Sequence, residues 1–260
     1  DRGGALPEVS IDDFDLLLTA AANPPRPWVC AGHLAVEAAA DVLADAVRAT
    51  PLAATIAAQL LRLTERLSLD DALIAESLAY SALLGGDEFR RWRQSASPSG
   101  ETPPPDEPVA ADRRDDHLTL TLNDPATRNA MTARMRDALY EALANALDDP
   151  TQPSVTLQGS GRCFSTGGAL FEFGRASDLA EAHAVRVLHS CARALDALRE
   201  RARVRLHGAC IGSGLEVAAA AHRRIAAPGA WFQLPELSMG LVPGAGGTAT
   251  VPRAIGRHRT

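Results

Sequence analysis

The sequence predicts an α/β core behind a small all-helical domain, on three observations. From residue 117 onward, short apolar or alternating stretches take turns with helical ones, as strands joined by crossover helices do. Residues 1–93 carry apolar residues at helical spacing. Between the two, residues 94–114 hold Ser95, Ser97, Pro98, Ser99, Gly100, Pro103, Pro104, Pro105 and Pro108 with almost no large apolar side chain. Such a stretch buries too little to order itself, so it reads as an extended or mobile linker. The division expected is therefore a helical accessory domain at 1–93, a linker at 94–114 and a core at 115–260.

Each element has a local reason. Leu34, Val36, Ala39, Val42, Leu43 and Val47 form a helical stripe. Pro51 can begin the next helix, with Ile56, Leu60, Leu61 and Leu63 inside it. Ser68 and Asp71 mark a third start and Gly85-Gly86 its end, with Leu73, Ile74, Leu78, Tyr80 and Leu83 facing a partner. Glu88 to Arg93 reads as a solvated helix end with one packed aromatic, in preference to an RNA contact. Nothing in this segment carries a nameable chemistry.

In the core, Leu118 to Leu122 alternates as a strand does. Asn123-Asp124-Pro125 turns, and Asn129 is placed to cap a helix whose buried face is Met131, Met135, Leu139, Leu143 and Leu147. Pro153 to Leu157 suits a second strand. A glycine-rich loop from Gly159 to Gly168 follows, then one helical turn at Ala169 to Phe173 and a long helix from Leu179 to Arg201. Val204 to Leu206 is a buried strand bounded by Gly208.

The chain is organised around what comes next. Gly212-Ser213-Gly214 opens an alanine-rich helix at Leu215 to Ala221. A glycine turn feeding a helix start leaves backbone N–H groups unpaired, which suits negative charge. Glu216 lies in the first turn, and Glu236 follows Pro235. Alone, the first reads as a helix-start carboxylate and the second as an exposed loop carboxylate. Together, beside free N–H donors, they form an arrangement that acyl chemistry can use.

Composition narrows the field. Of 260 residues, 46% are hydrophobic and 22% charged, which supports a sizeable core and excludes global disorder. A net charge of −6 argues against a dedicated nucleic-acid binder. All 26 basic residues in the Lys+Arg count are arginine, so Schiff-base lysine chemistry is excluded. Cys30, Cys163, Cys191 and Cys210 are widely spaced, with no metal-ligand pattern, and read as small buried hydrophobes. His207 and His222 flank apolar elements and read as structural. No signal peptide stands at the start and no apolar run is long enough to cross a bilayer, so a reducing, cytoplasmic setting is expected.

Four pieces in order carry a family resemblance: N-D-P-A-T-R-N-A-M (Asn123 to Met131), G-R-C-F-S-T-G-G-A-L-F-E-F (Gly161 to Phe173), His207 to Glu216, and Phe232 to Arg253. From His117 to Thr260 the chain resembles the crotonase superfamily, the enoyl-CoA hydratase/isomerase family. The resemblance implies a crotonase-like spiral of ββα turns that binds an acyl-CoA thioester as substrate. It implies a homo-oligomer, trimer or hexamer; no cofactor beyond the CoA thioester, no metal, no nucleic acid and no membrane partner are expected.

Residue by residue, the resemblance puts the oxyanion-binding N–H groups on Gly168 and Ser213, the latter in place of the usual glycine. It matches the two hydratase glutamates to Glu216 and Glu236, with Glu236 as the main acid/base and Glu216 orienting the water. Thr166 would meet adenine through its backbone. Arg128 either meets phosphate or is a surface arginine. Ala169, Leu170 and Phe171 would line the acyl end.

The chain also departs from the family. Ala169 stands where the family usually has aspartate. Family members continue past the segment matching P-R-A-I-G-R-H-R-T with helices that close the site and build the trimer, so such helices are expected beyond Thr260, or an open site without them. The helical extension is atypical. Three functions follow as expectations: an enoyl-CoA hydratase or isomerase; another crotonase chemistry, by thioester hydrolysis or cofactor-free oxygenation of an aryl-acetyl-CoA; or a non-catalytic acyl-CoA-binding protein. The glutamate pair favours the first.

Overall fold

The computed structural model describes residues 6–10, 12–96, 103 and 105–260. The leading segment begins with two short parallel strands, β1 (Leu18–Thr19) and β2 (Val29–Cys30), which helical spacing did not foretell. Four helices follow: α1 (Val36–Ala49), α2 (Pro51–Thr64), α3 (Leu69–Leu84) and α4 (Asp87–Ser95). Pro51 takes the first turn of α2, where its missing N–H costs nothing. Ser68 caps α3 by accepting from the Asp71 N–H at 3.1 Å.

The expected helix end has its packed aromatic, Phe89, and exposes Arg90 and Arg91, but Glu88 is buried rather than solvated. Glu88 and Phe89 in α4 are enclosed, and the Glu88 carboxylate accepts the N–H groups of Leu52 and Ala53 at 2.8 and 2.9 Å. It thereby serves as acceptor for the free end of α2, a role that spacing along α4 alone cannot disclose.

The core sheet has five strands in the order β3 (Val109–Arg114), β4 (His117–Leu122), β5 (Ser154–Gly159), β6 (Ala202–Leu206) and β8 (Arg223–Ala226). The first pair is antiparallel and the rest are parallel. β3 corrects the linker boundary, because residues 109–114 pair with β4 along its whole length, Val109 opposite Leu122 and Arg114 opposite His117. The polar V-A-A-D-R-R is an edge strand ordered by its partner rather than by its own burial. The remainder of the expected linker rests largely on residues 97–102 and 104, which lie outside the described residues.

Helices α5 (Ala133–Asp148), α6 (Leu179–Leu188) and α7 (Cys191–Ala197) connect these strands. Leu120, Leu122, Leu139, Leu143, Leu157, Leu195 and Val204 are fully buried in the cluster between sheet and helices. The single long helix expected over 179–201 is broken, because the Ser190 hydroxyl accepts the Arg193 N–H at 3.2 Å and starts α7 afresh.

Asn129 does not cap α5 either. Thr132 does, accepting from the Met135 N–H at 3.0 Å. Asn129 is fully buried with φ +55, and ties two loops together. Its Oδ1 accepts the Asp124 N–H, and its Nδ2 donates to the carbonyls of Ser160, Cys163 and Phe164 at 2.9–3.2 Å. Asn129→Ala should cost about 2–4 kcal/mol in urea denaturation, from one stranded donor and up to three stranded acceptors.

Because β4, β5 and β6 run parallel, the loops that follow them leave from one end of the sheet. There a second, shorter layer forms. β7 (Ala209–Ile211) pairs in parallel with β9 (Trp231–Gln233), and residues 164–169 add on its other side: Ser165 N–H donates to Ala209 O and Ile211 N–H to Ser165 O. Met131 continues the layer, donating to Gly167 O and accepting from Ala169 N–H. The closing helices are α8 (Ser213–Ala219) and α9 (Gly247–Ile255). The leading helices share cores with this region: Ala53, Leu60, Leu83 and Phe89 pack with Leu241 and Val242, and Ala72 and Leu73 with Ala192 and Ala249.

Candidate active site

Two glycine loops lie side by side at the end of the sheet. Gly167 has φ +85, and a Cβ there would stand 2.8 Å from the Ile211 carbonyl oxygen. Gly212 has φ +47 and ψ −128, a region essentially reserved for glycine. A Cβ on Gly214 would meet the Ser165 side chain at 2.6 Å. These contacts need hydrogen in place of a side chain, and they are what bring the loops together. Among the described residues no acceptor takes the N–H of Gly168 or of Ser213. Both residues line one cavity of about 630 Å³.

Glu216 and Glu236 line the same cavity, so the structure gathers all four residues expected to do the chemistry. Glu216, in α8, is 2% exposed. Its Oε2 accepts the N–H groups of Ala245 at 2.6 Å and Gly247 at 3.0 Å. Burial pushes its carboxyl up to about 7, against the pull of the Ala245, Gly247 and Gly244 backbone donors. Glu236 opens the 3₁₀ turn Glu236–Met239 and is 7% exposed, not the solvent-facing loop residue that its position after proline suggests. Its Oε2 is buried without a partner, and a Cβ on Gly212 would lie 2.8 Å from its Oε1. Burial, then the Glu216 carboxylate, pushes Glu236 up to about 9. The Ser213 hydroxyl is likewise buried and unpartnered.

The leading helices enter this site. Tyr80 of α3 lines the cavity, its ring so close under Gly244 that a Cβ there would come within 2.7 Å, and the Arg186 guanidinium lies over it at 4.9 Å. Leu84 lines it too, with Met131 and Phe173. Glu76, one turn before Tyr80, is 1% exposed and accepts the N–H groups of Gly246 and Thr248, each at 2.6 Å. The helical spacing did carry a signal for both residues. Leu73, Glu76, Ser77, Tyr80 and Leu84 form one stripe of α3, whereas Ile74 and Leu78 of the expected stripe are exposed. A glutamate inside an apolar stripe is the anomaly that marks it.

The expected substrate contacts lie elsewhere. The Thr166 N–H already donates to Arg128 O, and Arg128 is exposed with φ +60. Ala169 is buried and its N–H is taken by Met131 O. Leu170 is exposed, and Phe171 lies under the Arg175 guanidinium at 5.3 Å. None of these five lines the cavity, whose walls are supplied instead by Met131, Phe173, Tyr80 and Leu84. The reason is local: after the 3₁₀ turn Leu170–Glu172, which leaves Leu170 exposed, Phe173 returns against Gly168. His207 lies 3.1 Å from Gly161 O, outside the cavity, and His222 is exposed. Among the described residues no group of His, Cys, Asp and Glu side chains is arranged to hold a metal ion.

A family model described as enoyl-CoA hydratase/isomerase matches residues 115–260. A protein named "Probable enoyl-CoA hydratase EchA14" from Mycobacterium tuberculosis is 37% identical over 144 residues, 55% of this chain and 56% of that protein. A fatty acid oxidation complex subunit alpha of Shewanella sp. is 33% identical over 150 residues, 55% of this chain and 21% of its own length. The crystal structure of an enoyl-CoA hydratase from Thermoplasma volcanium superimposes with a TM-score of 0.52 at 30% identity, over 58% of this chain and 60% of that one. The chain thus spans little more than half the length of the hydratases it matches.

Proposed function

The chain belongs to the enoyl-CoA hydratase/isomerase family, and on that premise we propose that it adds water across the double bond of an enoyl-CoA thioester. One observation carries the reading: two acceptor-free N–H groups share one cavity with two buried carboxylates, one held by two backbone N–H donors and the other with an oxygen that has no partner. As the thioester oxygen gains negative charge, the Gly168 and Ser213 N–H groups hold it. Glu216, whose ionised form the Ala245 and Gly247 N–H groups favour, takes a proton from water as the water oxygen bonds to the β-carbon. Glu236 carries a proton and gives it to the α-carbon, collapsing the enolate. Glu216 then releases its proton and Glu236 regains one, which closes the cycle. This reading reverses emphasis on the pair: Glu216 is the base rather than only the residue orienting water.

The CoA thioester is the substrate, and no further cofactor enters. A cytoplasmic homo-oligomer, trimer or hexamer, follows from the family resemblance. Exposed Ile225, Trp231 and Phe232 on β8 and β9 suit contact with another copy. No described helix is long and apolar enough to cross a membrane. The test is direct: incubation with crotonyl-CoA and longer enoyl-CoAs should consume the conjugated thioester absorbance and yield the 3-hydroxyacyl-CoA. No turnover of any of them by the wild type would overturn the reading, and binding without turnover would move it to an acyl-CoA-binding protein.

A further inference from the structure

Four successive backbone amides, the last two of the loop before α9 and the first two of α9 itself, are shared between a carboxylate of α8 and one of α3. Glu216 takes Ala245 and Gly247. Glu76 takes Gly246 with Oε1, and Thr248 with Oε2, which also accepts the Thr248 hydroxyl at 2.6 Å. The alternation sets the two acids against the same helix start, each taking every second amide. The loop is further seated on α3, since a Cβ on Gly246 would come within 3.2 Å of the Leu73 side chain. On the other side, the Thr250 hydroxyl donates to the Glu216 carbonyl. Glu216 therefore has the position that this loop gives it, and the loop has the position that Glu76 gives it.

We propose that Glu76, supplied by the leading helices, is a positioning residue of the acyl-CoA site: it fixes the 244–248 loop that holds the Glu216 carboxylate, and it sets the charge state of the glutamate pair. This rests on the function proposed above. A buried acid accepting three hydrogen bonds is well made for holding a loop; a third acid beside two others is an expensive way to do only that. Burial, then the Glu216 carboxylate, push Glu76 up to about 8, against its three donors. The groups facing it from α8 and beyond are Glu216 and Glu236, and Tyr80 stands one turn along α3. From the other side, the small cavity at Glu76 is bordered by Arg136 of α5, Arg186 of α6, His189 and Cys191 of α7. A proton on one acid lowers the cost of charge on the next, so removing the Glu76 charge should make Glu236 a stronger acid.

Two measurements on the full chain test this. The first is the urea midpoint of wild type and Glu76→Gln between pH 5 and 9. The native state keeps carboxyl protons that the unfolded chain has lost above about pH 4.5, so the wild-type midpoint falls as pH rises. Glu76→Gln should flatten that fall, and an unchanged slope overturns the proposal. The second is the pH profile of turnover on crotonyl-CoA. Glu76→Gln should lower kcat by about 10- to 100-fold with KM changed much less, and should move the profile to lower pH. Lost stability with unchanged kcat and an unmoved profile would make Glu76 a purely structural residue and overturn the proposal. A wild type inert on every enoyl-CoA defeats the hydratase reading instead, and the urea slope still decides whether Glu76 keeps its proton in the folded chain. If Glu76→Gln does not fold, Thr248→Val removes only the hydroxyl donor and raises the proton affinity of Glu76. The urea slope should then steepen, opposite to Glu76→Gln, while the less charged Glu76 still moves the turnover profile to lower pH; no shift in either would overturn the proposal.

Discussion

Glu236→Gln should lower kcat/KM on an enoyl-CoA by about 10²- to 10⁴-fold, the range for losing a positioned acid/base. It should do so while making the protein more stable at pH 8. The two effects have one cause. The Glu236 Oε2 is buried without a partner, and burial beside Glu216 pushes its carboxyl up to about 9. Between about pH 4.5 and that value the native state holds a proton that the unfolded chain has released. Stability therefore falls with rising pH, by about 1.4 kcal/mol per unit while the difference in bound protons is complete. Above about pH 9 the folded carboxyl also ionises and the slope ends. Glutamine has nearly the same shape and no charge, so this share of the slope vanishes with the catalytic proton. Steady-state kinetics and urea denaturation at pH 6 and 8 check it. A variant that keeps wild-type turnover, or that is less stable at pH 8 than wild type, contradicts the assignment.

Gly212→Ala should be the most damaging single methyl in the site. The residue has φ +47 and ψ −128, and an alanine there stores about 1–3 kcal/mol of backbone strain. The added Cβ would also lie 2.8 Å from Glu236 Oε1, so the acid must move. The peptide that follows carries the Ser213 N–H, one of the two groups proposed to hold the thioester oxygen. Displacing acid and donor together should lower kcat by about 100-fold or more, the cost of misplacing reacting groups by about 1 Å. Gly161→Ala is the matched control: it also has positive φ, at +78, but its Cβ would meet only the ring of Pro125, away from the cavity. It should lose stability and keep most of its turnover, as read by thermal melting and kcat. Equal losses of turnover in the two variants would show that strain alone is responsible.

The parts of the site that were legible in the sequence are those made by short-range rules. Gly167, Gly212 and Gly214 stand where loops approach one another too closely for a side chain, and their spacing showed in the glycine-rich stretches. Gly168, Ser213, Glu216 and Glu236 lay within or beside those stretches, and all four reach the cavity. Glu76 and Tyr80 were legible as members of the packed stripe of α3, the glutamate as its anomaly, but not as part of the site. Their roles depend on α3 meeting a loop more than 160 residues later, and no local rule announces such a contact. At the expected acyl end the placement turns on one 3₁₀ turn, which leaves Leu170 exposed and brings Phe173 to the cavity wall. Strand β3 escaped because half of it is charged, and it owes its form to the register with β4.

The interleaved grip on the 244–248 loop also bears on where this protein can be cut. The family match starts at residue 115, but two of the four amides at the start of α9 find their acceptor on α3. A polypeptide trimmed to the matched region would bare those N–H groups together with Leu241, Val242 and Ala249, which the leading helices cover. The boundary of kinship and the boundary of cooperative unfolding therefore fall at different places. Heterologous grafting of this scaffold has to carry the first ninety-odd residues along, even though sequence comparison alone would discard them.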